Sequence, residues 1–251
     1  MSGGTNDSSL TRVQPVFTAL SQNADSSWIL RLLSLGSRAL KMSLPSTVGA
    51  LSSQPVFEHA CLAPEDLLRW MITNPSKLDW SRLEQSKLAP NTIEKRRALR
   101  DGDLLVMQEA LELLGTKGRR PGSGRWYVLE GETKVDCALF GEDLTVFVEG
   151  KRIEPHLTDR VSWLRGRDQV IRNLDCLRVE PCRADRWFVL LVVEDGMTTA
   201  ADAHRLDLGG ERLISALPHL PAEEVEEVWS HYAGYTTWQA VQREFPDSSA
   251  R

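Results

Sequence analysis

The chain has 251 residues, of which 41% are hydrophobic and 26% charged, and its formal net charge is −5. This composition is typical of a globular protein and excludes a disordered or fibrous chain. The acidic net charge excludes a generally cationic surface, so a binding site for a polyanion would have to be local.

Cysteine content and hydropathy indicate the cellular compartment in which the protein is expected. The four cysteines, Cys61, Cys137, Cys176 and Cys182, show no CxxC spacing, which favours reduced thiols over a zinc site. No apolar run approaches the ~18 residues of a membrane span, and the first residues lack the basic and apolar regions of a signal peptide. We therefore expect an intracellular, cytoplasmic protein that does not associate with a membrane.

Composition and periodicity divide the chain into four regions. Residues 1–60 are rich in Ser, Gly, Thr and Asn, which predicts a flexible or partly helical N-terminal arm. Residues 61–100 have helical spacing and form a predicted N-terminal helical extension. Residues 101–195 combine helical and strand patterns in a predicted α/β core, and residues 196–251 are a predicted C-terminal helical extension.

The predicted elements follow from hydrophobic spacing and from turn residues. Helices are predicted at 27–41, 63–74, 90–100 and 101–114, the last ending at Gly115. The period then changes, and strands are predicted at 125–132, 134–140 and 144–153. A helix at 161–179, an apolar strand at 187–193, and helices at 201–217 and 221–245 follow. From residue 101 the predicted order is helix, three strands, helix and strand.

Charged residues interrupt the second and third predicted strands. Asp136 follows Val135 in the second predicted strand, and Glu149 and Lys151 interrupt a run of Leu, Val and Phe in the third. Strand alternation places Glu149 and Lys151 on one face, roughly 7 Å apart. A turn at 142–143 or at 141–144 puts Asp136 directly across from Glu149, and a turn at 141–142 makes the two diagonal neighbours on one face. Only an odd-length loop would separate them.

Such a pair of carboxylates predicts a metal site. Two carboxylates within ~5 Å of each other raise each other's pKa unless a divalent cation neutralises them. Ligation by oxygen alone selects Mg²⁺ or Mn²⁺, with Asp136 and Glu149 as ligands. The ammonium of Lys151 could then polarise an attacking water or stabilise developing phosphoryl charge.

The motif and the predicted element order together resemble a known superfamily. Asp136, followed after twelve residues by Glu149-Gly150-Lys151, resembles the D…(D/E)xK signature of the PD-(D/E)XK nucleases. The predicted order resembles their restriction-endonuclease-like αβββαβ core, a mixed central sheet flanked by helices. The resemblance covers about 101–194, under half of the chain. One departure is Val135, which stands where the superfamily has proline before the aspartate.

The resemblance implies an activity and assigns roles. It implies a Mg²⁺-dependent (or Mn²⁺-dependent) nuclease that hydrolyses phosphodiester bonds, with DNA the favoured substrate. Asp136 and Glu149 would hold the metal, and Lys151 would assist the nucleophile. An acidic residue of the first core helix would complete the site, either Glu109 or Glu112, between which the sequence does not choose. Gln169 and Arg172 resemble the polar residues that some members carry on the following helix.

A basic, Gly-rich connection supplies the local positive charge that the whole chain lacks. Residues 115–125 contain four cations and no acid, and Arg152 and Arg172 could extend their field. The functional interpretation is a phosphate-binding loop for a nucleic-acid partner, and the alternative is a solvated loop. The four cations are Lys117, Arg119, Arg120 and Arg125.

Two other functional classes, and the oligomeric state, stay open at this point. The chain could be a catalytically inactive nuclease-like module that binds nucleic acid or protein. It could also be a structural interaction protein whose acidic hairpin is a surface feature. A homodimer is an open alternative to a monomer.

Overall fold

The computed structural model describes residues 9–22, 25–38, 40, 44, 51, 54–81, 83, 88–151, 163–195 and 210–248. Its strands are β1 (Val56–Cys61), β2 (Thr133–Phe140), β3 (Leu144–Gly150), β4 (Arg186–Val193) and β5 (Tyr232–Thr237). Its helices are α1 (Gln14–Ser21), α2 (Trp28–Ser34), α3 (Glu65–Thr73), α4 (Pro90–Arg100), α5 (Leu104–Lys117), α6 (Gln169–Arg178), α7 (Gly210–Ala216), α8 (Ala222–Ser230) and α9 (Trp238–Glu244). None of the described helices is both long and apolar enough to cross a membrane.

The described strands form one mixed sheet in the order β1-β2-β3-β4-β5. β1, β2 and β3 pair antiparallel, whereas β3, β4 and β5 pair parallel. β4 lies between β3 and β5 and is buried over almost its whole length, as its continuous apolar sequence predicts for a strand covered on both faces. The expectation of an α/β protein with a mixed sheet flanked by helices is confirmed.

Helices cover both faces of this sheet. On one face, α6, α7 and α8 contribute buried side chains such as Leu174, Leu213 and Val225. On the other face, α1, α2 and α9 contribute side chains such as Phe17 and Leu32. The helices α3, α4 and α5 build a third hydrophobic cluster together with residues 126–129, so they form a separate helical layer beside the sheet.

The predicted strand at 125–132 is wrong, because this buried segment is held by side chains instead of a neighbouring strand. Arg96 of α4 donates from Nε to the Trp126 carbonyl and from Nη2 to the Val128 carbonyl, both at 2.8 Å. Trp163 donates from its indole to the Leu129 carbonyl. With these carbonyls occupied, the segment follows an irregular path into β2.

The ends of the chain contribute strands where helices or an arm were expected. Residues 1–60 were expected to form a flexible or partly helical arm; their described part does contain two helices, but these pack on the sheet, and the segment also supplies most of the edge strand β1. Residues 221–245 were expected to be one helix, yet β5 divides them. Its sequence, Tyr-Ala-Gly-Tyr-Thr-Thr, is rich in residues that favour strands, and helical spacing on either side obscured it.

Two predicted helix boundaries also differ. Gly115 lies inside α5, which ends at Lys117. The residue after Lys117 is Gly118, whose φ is 69°. Glycine commonly follows the last residue of a helix because it adopts positive φ values without steric cost. The helix expected at 161–179 begins only at Gln169, where the carboxylate of Asp168 caps it by accepting from the Ile171 amide at 3.1 Å.

Candidate functional site

The β2–β3 hairpin brings the predicted acidic pair together. Its register joins Cys137 to Val148, so the next pair along is Asp136 and Glu149. The Gly141 amide donates to the Leu144 carbonyl at 2.9 Å, which leaves residues 142–143 at the tip. This is the two-residue turn among the alternatives, and it is one of the two that place the carboxylates directly across from each other.

Glu149 is buried and is contacted by polar side chains on two sides. Its side chain is 2% exposed, and its Oε1 lies 2.8 Å from the ammonium of Lys151. On the other side, the amide of Asn173 in α6 donates to its Oε2 at 3.1 Å. The Oδ1 of the same Asn173 side chain is buried and has no hydrogen-bond partner among the described residues. The α6 side of the site therefore presents one acceptor oxygen that lacks a donor.

Asp136 is held at the point where the β2–β3 ladder ends. Its Oδ2 accepts a hydrogen bond from the Gly150 amide at 2.8 Å, so a carboxylate takes the position that a strand carbonyl would otherwise occupy. Burial, and after it the nearby carboxylate of Glu149, raise the pKa of Asp136 to about 8, while Lys151 acts in the opposite direction. The ammonium of Lys151 therefore compensates the two acids only in part.

Gly150 fixes the backbone between the two charged residues of the motif. A Cβ atom at this position would lie 2.9 Å from the Trp238 ring and still closer to the side chain of Val13, so no larger residue fits without rearrangement. The backbone of Lys151 is anchored on both sides, because its amide donates to the Val192 carbonyl at 2.7 Å and its carbonyl accepts from the Trp238 indole at 2.9 Å. The packing of α9 thus positions the Glu-Gly-Lys segment.

The two α6 residues predicted from the resemblance have positioning contacts. Gln169 donates to the Thr133 hydroxyl at 3.1 Å and to the Lys134 carbonyl at 2.9 Å, which fastens the start of α6 to β2. Arg172 is buried, with its Nε 3.6 Å from Glu130, so its charge faces an acid and not solvent. The residue of this helix that does reach Glu149 is Asn173, which the sequence analysis missed. It lies four residues after Gln169, and helical spacing could have indicated it.

The structure does not bring Glu109 or Glu112 to this site by any described contact. Both lie on α5, whose buried side chains belong to the separate helical layer. Glu109 forms an ion pair with Lys95 of α4, and Glu112 accepts from Gln108 one turn earlier at 3.1 Å. Among the described residues, no group of three or more potential His, Cys, Asp or Glu ligands includes Asp136 or Glu149.

The basic connection lies near the start of β2. Lys117 is exposed, and Arg120, 73% exposed, faces Glu132 at 3.7 Å. Glu132 precedes Asp136 by four residues, or roughly 13 Å along an extended strand. Arg119 and Arg125 are half-buried and donate to the carbonyls of residues 63 and 120, each at 2.9 Å, whereas Arg152 lies outside the described residues.

A second buried cluster of charges lies behind the site. Arg167 is fully buried and donates to both carboxylate oxygens of Glu130 and, at 2.8 Å, to Oδ2 of Asp175. Asp175 also contacts Arg178 and His219, each at 3.2 Å. Despite burial, which acts in the opposite direction, Arg167 lowers the pKa of both Glu130 and Asp175. These acids are therefore fully compensated within the protein.

None of the protein-family models, curated proteins or solved structures with which the chain was compared matches it. The functional inference therefore depends on the residues of this chain.

Proposed function

We propose that this protein is a metal-dependent nuclease that hydrolyses phosphodiester bonds, with DNA as the favoured substrate. The observation that carries the proposal is the convergence of Asp136, Glu149 and Lys151 at one end of the β2–β3 hairpin, with Glu149 and the Lys151 ammonium 2.8 Å apart. A buried site with two adjacent carboxylates and one cation has an excess of negative charge that favours a bound dication.

The donor atoms fit a hard cation. Asp136 and Glu149 offer only oxygen, which suits Mg²⁺ or Mn²⁺. Mg²⁺ is commonly held by one or two carboxylates and keeps several waters, so a third acidic side chain is not required. The unpartnered Oδ1 of Asn173 is an acceptor that such a water can satisfy. When bound, the ion supplies Lewis acidity toward a phosphoryl oxygen and lowers the pKa of a bound water.

The protein's own side chains have distinct tasks in this proposal. Asp136 and Glu149 hold the ion, and the Gly150 amide fixes the orientation of the Asp136 carboxylate. Lys151 holds a positive charge where negative charge develops on the phosphoryl group in the transition state. Asn173 orients Glu149 from α6. The exposed cations Lys117 and Arg120 are the proposed contacts to the phosphate backbone, which position a nucleic acid without reading its sequence.

The order of helices and strands supports the proposal, although the first strand is not the one that the sequence predicted. The first strand of the three-stranded antiparallel part is β1, not the segment at 125–132, and the helices α3, α4 and α5 are inserted between β1 and β2. After β3 the chain passes through α6 to the parallel strand β4. With the insertion set aside, the order from α2 is helix, three strands, helix and strand, which resembles the restriction-endonuclease-like core.

The test is cleavage of plasmid and single-stranded DNA by the purified full-length chain with Mg²⁺ and with EDTA. We expect cleavage only with the metal, and its loss in Asp136→Asn, which keeps the acceptor for the Gly150 amide. The matched control is Glu142→Gln, which removes an exposed acid at the tip of the same hairpin and should cleave at the wild-type rate. Equal cleavage by Asp136→Asn and wild type would refute the site.

A result without cleavage would also be informative. DNA binding that weakens with salt but never leads to cleavage, with either Mg²⁺ or Mn²⁺, would assign the chain to the inactive nuclease-like modules. Absence of both binding and cleavage would leave the interaction-protein alternative.

A further inference from the structure

A second group of metal-ligand side chains lies at the edge of the sheet. His59 and Cys61 are two residues apart on the edge strand β1 and therefore share one face. Glu180 follows the end of α6 by two residues. One ligand atom from each of the three residues lies within 4.8 Å of the others. The cluster thus joins the edge strand to the segment after α6.

The surroundings of the histidine in this cluster fix the orientation of its ring. Its Nε2 is buried and faces Oε2 of Glu180 at 3.5 Å, and this contact lowers the pKa of Glu180. The ring is held by edge-on contacts with Phe140 and Phe147, at centroid distances of 5.2 Å and 5.7 Å. An oriented ring whose nitrogen lies within 4.8 Å of a carboxylate oxygen and a thiol sulfur can share one ion with them.

The ligand atoms of this cluster favour a different ion from the one proposed for the hairpin site. A thiol sulfur, an imidazole nitrogen and a carboxylate oxygen are the three ligand types of protein-bound zinc, whereas sulfur is a poor ligand for Mg²⁺. Zinc ligand distances of about 2.0–2.3 Å place tetrahedral ligands about 3.5 Å apart. Closure from the observed separations therefore requires shifts of about 1 Å, within reach of side-chain rotation.

We propose that His59, Cys61 and Glu180 bind one Zn²⁺ ion, with the fourth position open to water. The ion fastens the edge strand β1 to the end of α6, the helix that carries Asn173. This proposal differs from the sequence-based expectation, which favoured reduced thiols over a zinc site because the cysteines show no CxxC spacing. The ligands come from two segments that are distant in sequence, so no short motif reveals them.

The metal chemistry is tested on the metal-free full-length chain. Zn²⁺ titration should show one site per chain, and Co²⁺ in its place should give a thiolate-to-metal charge-transfer band. We expect Cys61→Ser to lose this band, and His59→Ala to bind Zn²⁺ at least ~10-fold more weakly. Cys182→Ser removes the exposed thiol nearby and should leave both readouts unchanged. Absence of the band in the wild type, or its persistence in Cys61→Ser, would overturn the site.

Two further variants keep the test decisive. If Cys61→Ser does not fold, as judged by circular dichroism, Glu180→Gln provides the same comparison through a ligand that is partly exposed, and unchanged Zn²⁺ affinity in that variant would overturn the proposal. Asp136→Asn should bind Zn²⁺ as the wild type does while losing cleavage, so failure of the zinc site and failure of the nuclease site give different results.

Discussion

Two buried clusters of charge, which include or contact residues two positions apart on α6, Asp175 and Asn173, differ in how far the protein neutralises them. In the Arg167 cluster, one guanidinium binds Glu130 and Asp175, and further contacts come from Arg178 and His219. In the hairpin site, the cation that acts on both Asp136 and Glu149 among the described residues is the ammonium of Lys151. The first cluster lowers the pKa of its acids, whereas the second raises the pKa of Asp136 to about 8.

The difference separates a structural role from a functional one. Buried carboxylates that are paired and hydrogen-bonded fasten elements together, here α6 to the segment before β2 and to the chain between α7 and α8. A buried carboxylate whose pKa is raised is stable only when protonated or when a cation is supplied from outside. The hairpin site is therefore the one at which we propose that a cation binds.

The largest effect should come from removing the centre of the compensated cluster. Arg167→Met leaves Glu130 and Asp175 buried without their main cation, and breaking a buried pair in this way costs about 3–5 kcal/mol. Urea unfolding measures the loss. The control is Arg165→Met two residues earlier, whose side chain is 90% exposed and should change stability by no more than about 0.5 kcal/mol. Equal effects in the two variants would contradict the structural role of Arg167.

Removing the cation of the uncompensated site should affect catalysis as well as stability. Lys151→Met preserves the length of the side chain without its charge, and loss of one such electrostatic group lowers kcat by about 100- to 1,000-fold. Steady-state cleavage kinetics measure kcat, and circular dichroism verifies the fold. Lys77→Met, an exposed lysine in the separate helical layer, should cleave like the wild type. A kcat within twofold of wild type in Lys151→Met would exclude Lys151 from the mechanism.

A smaller effect concerns stability in acid. The folded-state pKa values of Glu130 and Asp175 lie below their unfolded-state values of about 4. Their ionised forms thus stabilise the fold above pH 4, and this contribution is lost as the pH falls below 4 and they become protonated. Denaturant unfolding between pH 6 and pH 3 should show the loss, and Arg167→Met should show much less of it. An unchanged acid dependence in the variant would contradict this origin.

The sequence predicted the hairpin site better than its surroundings, for physical reasons. Alternation and turn length are local, so they sufficed to place Asp136 opposite Glu149 and Lys151 beside it. The acidic residue that would complete the site was sought on α5 because 125–132 was interpreted as the first strand. The side chains of Arg96 and Trp163 hold that segment from a distance in sequence, so its apolar pattern gave no sign of their contacts. β1 was missed because its single apolar stretch lies in a region of loop-like composition.

The smallest effect tests the central claim, that Asp136 is an acid without sufficient compensation. Its folded pKa of about 8 lies above its unfolded value of about 4, so the metal-free protein loses stability as the pH rises from 4 to 8. The groups that set this pKa are Glu149, Lys151, Glu58 and the Gly150 amide. At pH 8.5, Asp136→Asn should therefore be more stable than the wild type.

The decisive measurement is the free energy of unfolding of wild type and Asp136→Asn at pH 8.5, with and without Mg²⁺. Mg²⁺ at ten times its Kd should stabilise the wild type by roughly 1.4 kcal/mol. It should have little effect on the variant, because Asp136→Asn removes the carboxylate that would bind the ion. Equal stabilisation of both proteins by Mg²⁺, or a metal-free variant less stable than the wild type, would contradict the account.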